Sequence, residues 1–134
     1  MTGGAAVFET MVTVVGIVAG EITQRRSEED TTIAQFRLLA KERKYVRESD
    51  AWVDGDRMFL SIRCWRKLGE NVAALLKRGD RVIVTGRLYH REYETQGYQR
   101  LSVEVDARSV GPDLSAWPVT VDRERAVADV AVAA

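Results

Sequence analysis

The chain has one cysteine, one histidine and two prolines among its 134 residues. A lone cysteine, Cys64, excludes an internal disulfide and any zinc site built from several cysteines, and such sparing use suits a reducing compartment. The single histidine, His90, stands on a predicted strand between Tyr89 and Arg91, with no nucleophile or paired carboxylate placed near it by sequence. Alone it reads as a surface or hydrogen-bonded histidine rather than a catalyst. The apolar run Val12–Ala19 is too short to span a membrane. Met1–Phe8 lacks the Lys or Arg that opens a secretory signal. The expectation is a cytoplasmic chain, not a membrane protein. There is also no phosphate-binding glycine loop and no metal-ligand spacing, so neither an enzyme nor a metal or other cofactor is expected.

Net charge is lacking too. Twenty Lys and Arg balance twenty Asp and Glu, which argues against a nucleic-acid binder of the strongly basic kind. The distribution is less even. From Asp113 onward there are four acids and two bases, leaving 18 bases and 16 acids before it, a net of +2. Any nucleic acid must therefore be held by a local face rather than by the field of the whole molecule.

What the chain does contain is alternation. Met11–Ala19 is rich in Val and Ile, apolar on both faces and bounded by Gly20, and reads as a strand buried on both sides. Glu21–Arg26 continues it past a bend. Thr32–Lys41 puts Ala34, Phe36, Leu38 and Ala40 on one face. Glu42–Arg57 is charged, contains Asp54-Gly55-Asp56 and reads as a flexible excursion. Arg57–Trp65 alternates again. Lys67–Lys77 switches to helical spacing, with Leu68, Val72, Leu75 and Leu76 as one apolar stripe. Glu70 near its start and Lys77 and Arg78 near its end suit the helix dipole, and Gly79 stops it. Arg81–Tyr93 is a strand with a bend or bulge at Gly86. Thr95-Gln96-Gly97 turns the chain and Tyr98–Arg108 returns. Three strands, a helix and two strands predict an all-β fold: a five-stranded OB-fold barrel with one helix between strands 3 and 4. Residues 1–111 form the domain and 112–134 a short tail, frayed or weakly helical over Arg123–Ala134.

Side chains of a strand point alternately to opposite faces. In Arg57–Trp65, Met58, Leu60, Ile62 and Cys64 make a core face, and Phe59, Ser61, Arg63 and Trp65 point the other way. In Arg81–Tyr93, Val82, Val84 and Leu88 face the core, and Arg87, Tyr89, Arg91 and Tyr93 face away. Two strands thus set aromatics among arginines off the core. Single-strand binders need that pairing, because every base offers a π-face to a ring while arginines neutralise phosphates. Cross-strand packing or a subunit interface would also place aromatics there, and Tyr89 has the weakest case for more than packing. Arg25, Arg26, Lys41, Arg43 and Lys44, taken singly, read as solvated.

TVVGIVAG (Thr13–Gly20), IAQFRLLA (Ile33–Ala40), FLSIRCWRKLGENVA (Phe59–Ala73), LLKRGDRVIVTGRL (Leu75–Leu88) and YETQGYQRLSVEV (Tyr93–Val105) occur in that order. Over about Met11–Val110 the chain resembles the bacterial single-stranded DNA-binding proteins of the replication type. The resemblance implies an OB fold, single-stranded DNA as partner, a homotetramer wrapped by DNA and no metal or cofactor. It places Phe59, Trp65 and Tyr93 on three base-stacking positions, and Tyr45, or a residue beside it, near the fourth. It implies roles in replication, recombination or repair.

Two departures stand out. Leu60 replaces the family's usual histidine after the first aromatic of the third strand, which bears on the subunit interface. The chain ends ADVAVAA, without the acidic tip that recruits partner enzymes, and so looks like a short second relative for which tip-dependent recruitment is not expected. The competing reading is an OB-fold assembly module that binds protein or RNA, which near-zero net charge favours.

Overall fold

A computed structural model of the chain describes residues 8–124. The helix expected over Arg123–Ala134 lies mostly outside the described residues, as does the apolar chain end.

The elements run β1 (Thr10–Val18), β2 (Thr23–Arg26), β3 (Thr32–Val46), β4 (Ala51–Trp65), α1 (Arg66–Leu75), β5 (Arg81–Thr95) and β6 (Tyr98–Pro112). The sheet order is β1-β5-β6-β4-β3-β2, and a further β1–β3 pairing closes β1, β5, β6, β4 and β3 into a ring. That closing contact is short, Ile17 with Leu39 and Val18 with Leu38. β2 pairs only with β3 and continues the line of β1 past the break at Ala19–Ile22. With β1 and β2 counted as one bent strand, the order is three strands, a helix and two strands.

The core is the inside of this ring. Val18, Ala34, Phe36, Leu38, Leu60, Ile62, Cys64, Val82, Val84 and Val105 are buried there. Each comes from one side of an alternating strand, which is why period-two patterning locates them. α1 covers one end of the ring. Val72 and Gly69 are its buried residues. A Cβ at Gly69 would stand 2.5 Å from the Cys64 carbonyl oxygen, so helix and strand approach as closely as they do only with glycine there. Arg66 turns the chain from strand to helix in the left-handed region, at φ 58°, a conformation that costs a non-glycine residue roughly 1–3 kcal/mol.

Several expectations need correction. Glu42–Arg57 is not a flexible excursion: β3 and β4 continue as a paired hairpin, from Arg43 opposite Asp54 to Val46 opposite Ala51. Ion pairs from Lys41 and Arg43 to Asp54 tie its strands, and the turn closes with the Asp50 amide donating to the Arg47 carbonyl at 3.2 Å. Charged residues on both strands made a solvent-exposed ladder look like a loop. Met58 is exposed rather than in the core, because β1 leaves β3 at Leu39 and none of the described residues covers the sheet beyond. Leu75 is exposed at the end of α1. The helix ends at Leu75 instead of Lys77. It carries no acid in its first turn and no base in its last, so the dipole pairing expected of Glu70, Lys77 and Arg78 does not occur. Asp80 instead accepts a hydrogen bond from the Lys77 amide at 2.8 Å.

Candidate single-strand interface

β5 and β4 do not touch. β6 lies between them, antiparallel to β5 and parallel to β4. Register then decides what meets what. Tyr89 stands opposite Glu104, Arg87 opposite Asp106, and Tyr93 opposite Arg100 on the β5 side; Ser61 stands opposite Glu104 and Arg63 opposite Asp106 on the β4 side. The outward positions of three strands therefore form one surface, with the expected residues in two rows and a third row from β6 between them.

The bulge at Gly86 keeps those rows aligned. Pairing shifts between Thr85 and Gly86, so that Gly86 faces Ala107. A Cβ on Gly86 would lie 2.2 Å from the Asp106 carbonyl oxygen, which makes this crossing possible only for glycine.

At one end of the surface Phe59 (40% exposed) and Tyr93 (41% exposed) border a shallow depression with Gln35, Arg37 and Ser102. The Arg37 guanidinium sits 4.4 Å from the centre of the Phe59 ring, and that of Arg91 5.7 Å from Tyr93, both within cation–π range. At the other end Trp65, half-buried, borders a second depression with Arg66, Arg87 and Arg108. Its indole Nε1 donates to Asp106 at 3.5 Å.

Between the two depressions lies a polar network. Glu104 is buried, with no exposed surface. Its carboxylate accepts from Arg91 Nε at 2.9 Å and from the Tyr89 hydroxyl at 3.0 Å, and lies 3.6 Å from Arg63 Nε. Asp106 accepts from the Arg87 guanidinium at 2.7 Å. Burial alone would raise the Glu104 pKa, but the hydrogen bonds from Arg91, Tyr89 and Ser102 outweigh it and hold the carboxyl below its ordinary value. The Tyr89 hydroxyl is pushed up to about 12 by burial, by the charge of Asp106 and by its bond to Glu104. Burial likewise pushes the Cys64 thiol to about 12, which fits its place in the core and makes it a poor nucleophile.

Seven of the eight expected residues, Phe59, Arg63, Trp65, Arg87, Tyr89, Arg91 and Tyr93, thus lie on this one surface. Tyr45 does not join them. It stands far along the β3–β4 hairpin, its ring 5.6 Å from that of Trp52 and its hydroxyl hydrogen-bonded to Asp50. Trp52, 61% exposed, carried no signal while its segment looked like a loop. Nor did Glu104 and Asp106, since alternation along Tyr98–Arg108 places them on the outward face but not beside the arginines. Only the insertion of β6 between β4 and β5 does that. Among the described residues no cluster of three or more His, Cys, Asp or Glu is placed to hold a metal ion, and no helix is long and apolar enough to cross a membrane.

A five-strand ring capped by a helix between its third and fourth strands, with β1 and β2 taken together, defines an OB fold. The chain belongs to the single-strand binding protein family, whose model matches residues 10–113. It is 40% identical over 119 residues to a single-stranded DNA-binding protein of Corynebacterium glutamicum, covering 88% of this chain and 53% of that protein. The chain thus spans about half the length of that curated relative. Among solved structures, the small single-stranded DNA-binding protein of Streptomyces coelicolor superposes with a TM-score of 0.77 at 34% identity, over 82% of this chain and 99% of that one. The second single-stranded DNA-binding protein of Mycobacterium smegmatis superposes with a TM-score of 0.69, also at 34% identity, over 86% and 99%.

Proposed function

We propose that the chain binds single-stranded DNA with little base preference, bases stacking on Phe59, Trp65 and Tyr93. The observation that carries this is the single outward surface on which those rings stand among Arg37, Arg63, Arg87 and Arg91. Unpaired bases present π-faces that rings accept regardless of sequence, whereas duplex DNA keeps its bases stacked on each other. Tyr89 serves as a hydrogen-bonding floor. Tyr45, paired with Trp52, is a fourth platform if the strand extends along the β3–β4 hairpin. Handling of exposed strands in cytoplasmic replication, recombination or repair is the role that suits such binding. The protein binds as a homo-oligomer, a tetramer by the family resemblance. In support, Met11 and Val15 on β1 and Ile83 on β5 leave an apolar strip exposed on the outside of the ring, with Val15 directly opposite Ile83; a second copy would cover it. Titrating labelled oligo-dT and a duplex of equal length into the full chain tests the reading: tighter binding of the single strand supports it, and equal binding overturns it.

A further inference from the structure

Five arginines on this surface fall into two groups. Arg63, Arg87 and Arg91 each lie within 3.6 Å, 2.7 Å and 2.9 Å of a carboxylate oxygen of Glu104 or Asp106. Arg37 and Arg100 are exposed and form no ion pair among the described residues; each lies instead against a ring, Arg37 on Phe59 and Arg100 on Tyr98. Arg37, on β3, borders the Phe59–Tyr93 depression, and Arg100, on β6, stands directly across from Tyr93.

A guanidinium already paired releases little when a phosphate arrives. The phosphate must displace a carboxylate, and in the case of Glu104 that would leave a buried negative charge with fewer partners, which is costly. It would also bring a second anion against the first. A guanidinium that faces only a ring and water has no such competitor. Building on the single-strand reading, we infer that Glu104 and Asp106 keep the DNA backbone off the centre of the surface, and that its phosphates are held by Arg37, at the edge of the Phe59–Tyr93 depression, and by Arg100, across from Tyr93. Arg87 and Arg91 act chiefly as positioning residues: held by the two carboxylates, they lie against the Tyr89 and Tyr93 rings rather than counting as phosphate contacts, and Arg63 stays beside buried Glu104.

The readout is the dependence of affinity on salt, because each phosphate contact on a single strand contributes about 0.7 to the slope of log affinity against log salt. The full chain and its variants are titrated with oligo-dT over a range of salt. Arg37→Gln and Arg100→Gln should each make the slope shallower by about 0.7 and weaken binding most at low salt. Asp106→Asn and Glu104→Gln should make it steeper by a similar amount, since each frees a guanidinium for phosphate. Asp106 is partly exposed, so the Asn variant gives a reading even if Glu104→Gln does not fold. The inference is overturned if Arg37→Gln and Arg100→Gln leave the slope unchanged, or if Arg87→Gln or Arg91→Gln flattens it by the full amount. Failure of the unmodified chain to bind oligo-dT at any salt would instead overturn the single-strand reading itself, and this inference with it.

Discussion

Three rings on the outward surface can be removed without opening the core. Phe59 and Tyr93 are exposed by two fifths, and Trp65 packs on the strand end rather than inside the ring. If each stacks on a base, Phe59→Ala, Trp65→Ala and Tyr93→Ala should each weaken binding of oligo-dT by about 1–3 kcal/mol, with cooperative thermal unfolding retained. Loss of the unfolding transition, with binding intact in whatever remains folded, would mean that the rings serve packing alone. Tyr89 supports a different test. Its hydroxyl ordinarily titrates at 10.0 and is pushed up to about 12 in the folded chain. The folded state holds that proton more tightly than the unfolded state, so the stability it confers is complete below pH 10 and is lost as pH rises from there toward 12. An absorbance titration of tyrosinate should show a component near 12 that Tyr89→Phe removes. An unchanged profile in that variant would contradict the network drawn around Glu104. At Cys64, a buried thiol raised to about 12 should resist a thiol reagent until the protein is unfolded.

At the scale of the element, what could be read from the sequence was what repeats along one strand. Period-two patterning located the core faces of β4 and β5, Met58 apart, and put Phe59, Arg63 and Trp65 on one side and Arg87, Tyr89, Arg91 and Tyr93 on one side. It also marked Gly86 as a bulge. What could not be read was anything decided by which strand lies beside which. Glu104 and Asp106 look like ordinary solvated acids until β6 is seen between β4 and β5. The β3–β4 hairpin failed for another reason. A ladder exposed on both faces has no apolar alternation, so Glu42–Arg57 carried the signature of a loop, and Trp52 went unmarked with it. The Gly86 crossing makes its own prediction. A Cβ there would meet the backbone of the neighbouring strand at 2.2 Å, so Gly86→Ala should destabilise the fold by about 1–3 kcal/mol, as overpacking does. It should also weaken DNA binding in the folded fraction, since Arg87 and Asp106 flank the contact. Denaturant unfolding followed by titration of the same samples separates the two effects.

For the molecule as a whole, a formal net charge of +0 once stood against nucleic-acid binding. The paired arginines give that figure a local meaning. The surface joins rings to cations that are in part already neutralised, so affinity for a strand should rest on stacking more than on phosphate, and should fall only shallowly with salt. The strip of Met11, Val15 and Ile83 is the other feature of this scale. Val15→Asp should break an assembly formed through it, and sedimentation at micromolar concentration should show the change from oligomer to monomer. A monomeric unmodified chain would contradict that assembly. The central claim is preference for unpaired bases, and one measurement bears on it most directly. Oligo-dT and duplex DNA of the same length are titrated into the full chain at low and at moderate salt, followed by tryptophan fluorescence. The account predicts quenching by the single strand and tighter binding of it than of the duplex at both salts, with the gap widening as salt rises. Equal affinity for the two, or a preference for duplex, would contradict it.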